Sequence, residues 1–431
     1  MRFTAGDVAR ATDGALVGDD VDIDGASIDS RTRAPSQLFV PIVGERDGHD
    51  FIDPSAGPYL TAHEPVGGTA VHVAETGRAL LDLGSWARRR LGDRVVGITG
   101  SVGKTTVKDL LAAILRQRFV TAASPGNFNN ELGLPLTLLN APDGANAGVL
   151  EMGARGIGHI AMLCEVGRPT IGVVTAVAAV HTEVFGTIDD VARGKSELVA
   201  ALPKSGTAVL NGDDVRCATM ASVTDARVLT YSVEGTGDLT ADGVHFDDEL
   251  RPTFVARTPW GDVEVRVGVR GVHQVGNALA AAGAALAAGA TLDDVAAGLV
   301  QVEMSRWRME LARAASGLLV LNDAYNASPT SVIAALQSLA AFDARRRIAF
   351  LGTMAELDDP LAAHREVADA AASLGIQIVA VAEPRYGGEL VDDIDAAVEL
   401  ATLLQLGDGD AVLVKGSRVA GLERLAERLL A

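Results

Sequence analysis

The sequence predicts an α/β protein of three domains, and three observations carry that reading. At 431 residues, 48% hydrophobic and 22% charged, the chain holds enough apolar material for several cores. Apolar β-branched runs alternate with helical patterns in two separate series, the pattern of parallel sheets joined by right-handed crossovers. The first 85 residues instead carry short strand and turn signals, with a Gly/Pro-rich passage at 54–68. We therefore expect a small N-terminal α/β domain at 1–85, a central parallel-sheet domain with antiparallel strands appended at 86–303, and a C-terminal Rossmann-like α/β domain at 304–431.

In the N-terminal part, ASIDSRT and QLFVPIVG supply the strand signals. The central series opens with RVVGITGSVGKTT from Arg94, which reads as a strand, a Gly-rich turn and then a helix through Val107 to Leu115. AGVLEMGA (147–154), TIGVVTAV (170–177) and TAVLNGDD (207–214) repeat the strand-to-loop pattern. From about 227 to 270, short alternating segments such as PTFVARTP and DVEVRVGV are expected to pair antiparallel. After SRWRMEL, the runs LLVLNDAYN (318–326), RIAFLGTM, IQIVAVAE and DAVLVKGSR (410–418) predict the strands of the last domain. No short-period repeat or low-complexity tail interrupts this order.

Composition narrows the function classes. A net charge of −19 opposes broad nucleic-acid binding, which needs a basic surface. The longest apolar stretch, the Ala-rich run at 278–290, is broken by Gly and is too short to span a bilayer, so no stable membrane insertion is expected. The N-terminus lacks an unbroken apolar core and a small-residue cleavage pattern, and a cytoplasmic monomer is expected. Cys164 and Cys217 lie far apart without metal-ligand spacing and read as two buried thiols. Lysine occurs only at 104, 108, 195, 204 and 415, with Arg supplying the other positive charges. An Arg bias explains the totals but not why these lysines remain.

The residues Thr99, Gly100, Ser101, Val102, Gly103, Lys104, Thr105 and Thr106 form a Gly-rich loop between a strand and a helix. Backbone N–H groups there can cradle phosphate at a helix N-terminus, with Lys104 at the β/γ phosphates and the Thr105 hydroxyl offered to Mg²⁺. The strict phosphate-loop pattern requires Gly at 98, where Ile98 stands. The alternative is a tight loop with an incidental GKT. Glu151 ends a buried-type strand, so its carboxylate is expected at the carboxyl edge of the sheet beside this loop.

TGSVGKTT resembles the variant phosphate loop of the Mur ligase family, whose superfamily includes folylpolyglutamate synthetases. SPGNFNNELGLPLTLL, EMGARGIGHI, GVHQVGNALAA, WRMEL, NDAYNASP, LGTMAELDD and VKGSR resemble further blocks of that family, in its order and over nearly the whole chain. IDSRTRAPSQLFVPIVGERDGHDF is similar to its UDP-sugar-binding domain. The resemblance implies a central P-loop ATPase domain and an ATP-dependent ligase that uses an acyl phosphate, with ATP and Mg²⁺ as cofactors. Within the family, the blocks resemble members that join UDP-MurNAc-tripeptide to D-Ala-D-Ala in peptidoglycan synthesis.

By this resemblance Glu151 and His181 hold Mg²⁺ together with Thr105, and Lys195 matches a lysine carried as a carbamate. Lys104, Lys195 and His181 are the implied catalytic set. His273, Asn277, Arg308 and Asp323 are implied at the nucleotide. Ser30, Arg31, Asn129, Asn130, Tyr325, Asn326 and Ser328 are implied at the other substrates. Taken alone, His181 reads as a structural histidine, Lys195 as an exposed helical lysine paired with Glu197 or a nearby carboxylate, and the 308–325 set as interdomain packing. Lys415 and Arg418 could offer cations to an anionic substrate, although a solvated loop would look the same. The chain departs from the family at Ala176, where Asn is usual, at Val180, where Ala is usual, and at Ser328, where Asn is usual. The competing expectations are a superfamily ligase adding a single amino acid, or a nucleotide-binding regulator that kept the fold without the chemistry.

Overall fold

Among the described residues, nine strands form the largest sheet. Across it, in spatial order, lie Thr121–Ala123, Ala147–Glu151, Arg94–Thr99, Ile171–Val174, Thr207–Asn211, Arg227–Ser232, Leu239–Phe246, Pro252–Thr258 and Gly261–Arg266. The computed structural model describes residues 1–178 and 185–431, so His181 and Val180 lie outside the described residues. The first seven strands pair in parallel, the seventh over two residues at its start. Antiparallel pairing is confined to the last three, which moves its start beyond the expected Arg227. The reason lies in the connection after Asn211: the helix Val215–Thr219 and the turn after it carry the chain back to the starting end, so Arg227–Ser232 re-enters parallel.

One face of this sheet is covered by the helices Lys104–Leu115 and Gln274–Ala287, which pack on each other. The Ala-rich run lies in the second of these, with Ala278, Ala281 and Ala284 fully buried. Its side chains are short enough for close helix approach, and it serves as core. Among the described residues no helix is long and apolar enough to cross a membrane.

The N-terminal part holds a five-stranded sheet, from Ala15–Val17 through Ala70–His72, Tyr59–Thr61 and Leu38–Phe39 to Ala26–Ser27, and a two-stranded ribbon. Its helix Thr76–Arg88 contributes Leu80, Leu83 and Ala87 to a core shared with Leu134, Leu138, Leu150 and Ile160 of the central part. Asn140 staples the same junction. Its Oδ1 accepts from the Ala26 N–H at 3.1 Å and its amide donates to the Ala26 carbonyl at 2.8 Å.

The C-terminal sheet runs Glu310–Arg313, Leu319–Asn322, Asp410–Lys415, Arg346–Leu351, Gln377–Val381, Glu389–Val391, antiparallel only at the first pair. The four anticipated strands are all present. The two edge strands are additions of three or four residues with little buried surface. The carboxyl ends of the central and C-terminal sheets contribute the loops that line one cleft, where ligands of open α/β sheets bind.

Asn140→Ala leaves both polar groups of the Ala26 backbone without this partner, a loss of about 1–3 kcal/mol. The variant should melt several degrees lower, with faster proteolysis within residues 1–75; an unchanged melting temperature would show that the shared core alone holds the junction.

Candidate active site

The cleft has a volume of about 390 Å³. Its central-sheet wall begins with the loop after Arg94–Thr99. Gly100 takes φ +150° and lies so close to the Thr175 hydroxyl that a Cβ would collide with it, and Gly103 takes the left-handed φ +84° that starts helix Lys104–Leu115. The loop is knitted to the neighbouring strand end: Ser101 N–H donates to the Ala176 carbonyl at 2.7 Å, and the Ala178 N–H donates to Ser101 Oγ at 2.9 Å. Ala176 therefore supports the loop through its backbone, a contact indifferent to the loss of an Asn side chain. Lys104 Nζ donates to the Gly100 carbonyl at 2.7 Å. Desolvation lowers the Lys104 pKa, opposed by Glu151 and reinforced by Arg308.

Glu151 is 1% exposed at the end of its strand. Oε1 accepts from the Asn129 amide at 3.0 Å, and Oε2 has no hydrogen-bond partner among the described residues. A buried carboxylate oxygen left open in this way suits a hard cation. Lys195 sits on helix Ile188–Ala200 and also lines the cleft, at 3% exposure. Burial and the nearby Lys104 charge push its pKa down to about 7. That burial overturns the reading as an exposed lysine, and Glu197 instead accepts from the Gly158 and Ala161 N–H groups at 2.5 and 2.9 Å. Lys204, by contrast, is 85% exposed beside Asp225.

The opposite wall is built by the C-terminal sheet and its linker. Trp307 and Met309 adopt left-handed φ of 60° and 51° around Arg308. The Ser305 N–H donates to Asp109 of helix Lys104–Leu115 at 2.9 Å, and the Met309 N–H donates to Asp323 at 3.2 Å. Arg308 lies over the Tyr325 ring, 4.2 Å from its centroid, and donates to the Thr105 hydroxyl at 3.3 Å. Lys415 corrects the expectation of a solvated-loop cation: it ends a strand at 2% exposure and is ion-paired with Asp323. It also donates to the Asn326 carbonyl at 2.8 Å, so its charge organises the 322–328 loop. Ser328 lines the cleft at the start of helix Pro329–Ala340, where its N–H donates to Ser331 Oγ at 2.9 Å.

The structure thus gathers Ser101, Val102, Gly103, Lys104, Thr105, Asn129, Asn130, Glu151, Lys195, Arg308, Tyr325, Asn326 and Ser328 around one space. Thr99, Gly100, Thr106, His273, Asn277 and Asp323 do not line it. Asn277 approaches the loop from behind, its Oδ1 lying 2.8 Å from where a Gly103 Cβ would stand. Burial pushes His273 down to about 4, and its Nδ1 has no partner among the described residues. Ser30 and Arg31 lie in the turn after strand Ala26–Ser27 of the N-terminal part and do not line the cleft, with Arg31 held by Asp29 at 2.8 Å. The sequence reading passed over Asn127, Glu131, Arg155, His159 and Glu356, which also line the cleft. Each lies inside a block already singled out, so position within the block was the available signal.

Comparison with known proteins follows the same outline. Residues 98–285 match the Mur ligase middle domain and residues 307–418 match the Mur ligase glutamate ligase domain. A UDP-N-acetylmuramoyl-tripeptide–D-alanyl-D-alanine ligase of Mycobacterium tuberculosis is 38% identical, over 94% of this chain and 91% of its own length. Among solved structures, MurF from Acinetobacter baumannii superposes with a TM-score of 0.90 at 28% identity, covering 100% of this chain and 99% of that one. MurF from Thermotoga maritima in complex with ADP gives 0.83 at 27% identity, covering 94% and 96%.

Replacing Lys104 by Ala removes a charge from the loop without touching a core. Nucleotide-dependent turnover should fall by roughly 10²-fold or more, with the melting temperature little changed. Turnover like the wild type's in the folded variant would remove Lys104 from the machinery.

Proposed function

Because the chain belongs to the Mur ligase family, we infer that it is an ATP-dependent ligase joining D-Ala-D-Ala to UDP-MurNAc-tripeptide, with formation of one amide bond in peptidoglycan precursor synthesis. The observation that carries the reading is the cleft itself: phosphate loop, open Glu151 oxygen and buried Lys195 on one wall, with the 325–328 and 417–419 loops facing them.

A carboxylate resists attack by an amine because charge and resonance protect its carbon. Phosphoryl transfer from ATP gives an acyl phosphate, which the dipeptide amine attacks with release of phosphate. Lys104, the loop N–H groups and the N-terminus of helix Lys104–Leu115 neutralise the phosphates and hold them in line. Lys104 exchanges its bonds to loop carbonyls for phosphate oxygens. Arg308, already at Thr105, adds a second cation from the linker. Thr105 and Glu151, with His181, would hold Mg²⁺, which when bound supplies further positive charge to the phosphate oxygens. His273 and Asn277 serve the nucleotide from behind the loop.

We assign the UDP-sugar to residues 1–85 through Ser30 and Arg31, the nucleotide to 86–303, and the dipeptide to 304–431 through Tyr325, Asn326 and Ser328. Asn129 and Asn130 face the tripeptide end. The linker between the last two parts lets them close and exclude water from the acyl phosphate. Dependence on ATP and a nucleotide-linked sugar fits a cytoplasmic enzyme. Phosphate release with UDP-MurNAc-tripeptide and D-Ala-D-Ala should exceed that with UDP-MurNAc-dipeptide, or with single amino acids, by at least about 10²-fold. Equal rates with a single amino acid would overturn the dipeptide assignment.

Lys195 is assigned as a carbamate. An ammonium near Mg²⁺ is opposed by about 4 kcal/mol per unit of metal charge at 4 Å and an effective dielectric of 20. Carbamylation reverses that sign, and burial favours the neutral amine that reacts with CO₂. Lys195→Ala should be nearly inactive and regain part of its activity with added short carboxylates. Full activity in the unsupplemented variant refutes the carbamate.

A further inference from the structure

The dipeptide brings a second charged group to the cleft besides its attacking amine. Its terminal carboxylate loses water on binding and must be met by a cation or by N–H donors. Beyond the linker, the described lining of the C-terminal wall carries one cation, Arg418. The other cations of the lining have different places: Lys104 and Arg308 at the phosphate loop, Lys195 beside them, and Arg155 on the central-sheet wall.

Arg418 is also held in a way that suits a planar anion. Its guanidinium lies over the Trp307 ring, 4.3 Å from the centroid, and one edge pairs with Glu423 at 2.8 Å. The side chain is 54% exposed, and no hydrogen bond among the described residues takes its remaining donors. The turn that carries it is fixed by its neighbour: Ser417 Oγ donates to the Ala327 carbonyl at 3.3 Å and accepts from the Ala355 N–H at 2.9 Å. Arg418 therefore stands beside the start of helix Pro329–Ala340, the end of the helix dipole that also favours negative charge. Lys415, three residues earlier, cannot take this role because Asp323 already neutralises it in the core.

We infer that Arg418 determines specificity by receiving the terminal carboxylate of the incoming dipeptide, an inference that rests on the ligase reading above. The test compares ligation of D-Ala-D-Ala with that of its C-terminal amide, which keeps the amine and the shape but not the charge. The wild type should prefer the free acid by about 10²-fold or more in kcat/KM. In Arg418→Met that preference should collapse to near unity, with KM for ATP and for UDP-MurNAc-tripeptide within about twofold of the wild type. Arg418→Lys, which keeps the charge and loses the fork, should recover part of the preference. The acid-to-amide ratio is taken within one preparation, so a partly unfolded sample does not distort it; the Lys variant supplies the ratio if the Met variant is inactive with both. Failure of the wild type to ligate D-Ala-D-Ala removes the ligase reading itself. A wild type that ligates both forms equally, or a variant that keeps the full preference, overturns the role of Arg418 and leaves the ligase reading standing.

Discussion

A carboxylate withdrawn from water is held only where opposite charge or hydrogen bonds replace its hydration, and the cleft is arranged around that constraint. Glu151 is buried with one oxygen satisfied by Asn129 and the other open. Lys104 feels its charge and Lys195 lies along the same lining. Burial pushes both amines towards neutrality. In the proposed reaction, the ATP phosphates and a divalent cation add negative and positive charge to this lining.

The two walls meet because the carboxyl ends of two parallel sheets face one space, and the linker between them is tied to both. Asp109 holds Ser305 from helix Lys104–Leu115, and Asp323 holds Met309 from the C-terminal side. Between these ties, left-handed Trp307 and Met309 turn Arg308 towards Thr105. The Lys415–Asp323 pair thus acts at a distance: it fixes the linker, the 322–328 loop and the Arg308–Tyr325 stack from within the core.

The parallel sheets were legible because strand, Gly turn and helix follow each other within a few residues, and the phosphate loop is local. Scarcity made the lysines informative: Lys108, Lys195 and Lys415 are buried and Lys104 lies on the phosphate loop. The partner of Lys415 was not legible, because Asp323 lies on a different strand end, brought close only by the sheet order. Arg227–Ser232 was misassigned to the antiparallel set because alternation reports a half-buried strand and not the direction of its neighbour. The short edge strands carry too little pattern to be read at all.

The distribution of amines has a practical side. With Lys108, Lys195 and Lys415 enclosed and Lys104 bonded to its own loop, the open surface displays one lysine, Lys204, in the turn after helix Ile188–Ala200. Chemistry directed at amines, whether a fluorophore or a resin linkage, therefore has a single well-exposed side chain to find. An Arg-rich surface leaves Lys204 the most accessible lysine for such reagents, and so a point by which the molecule can be oriented on a support.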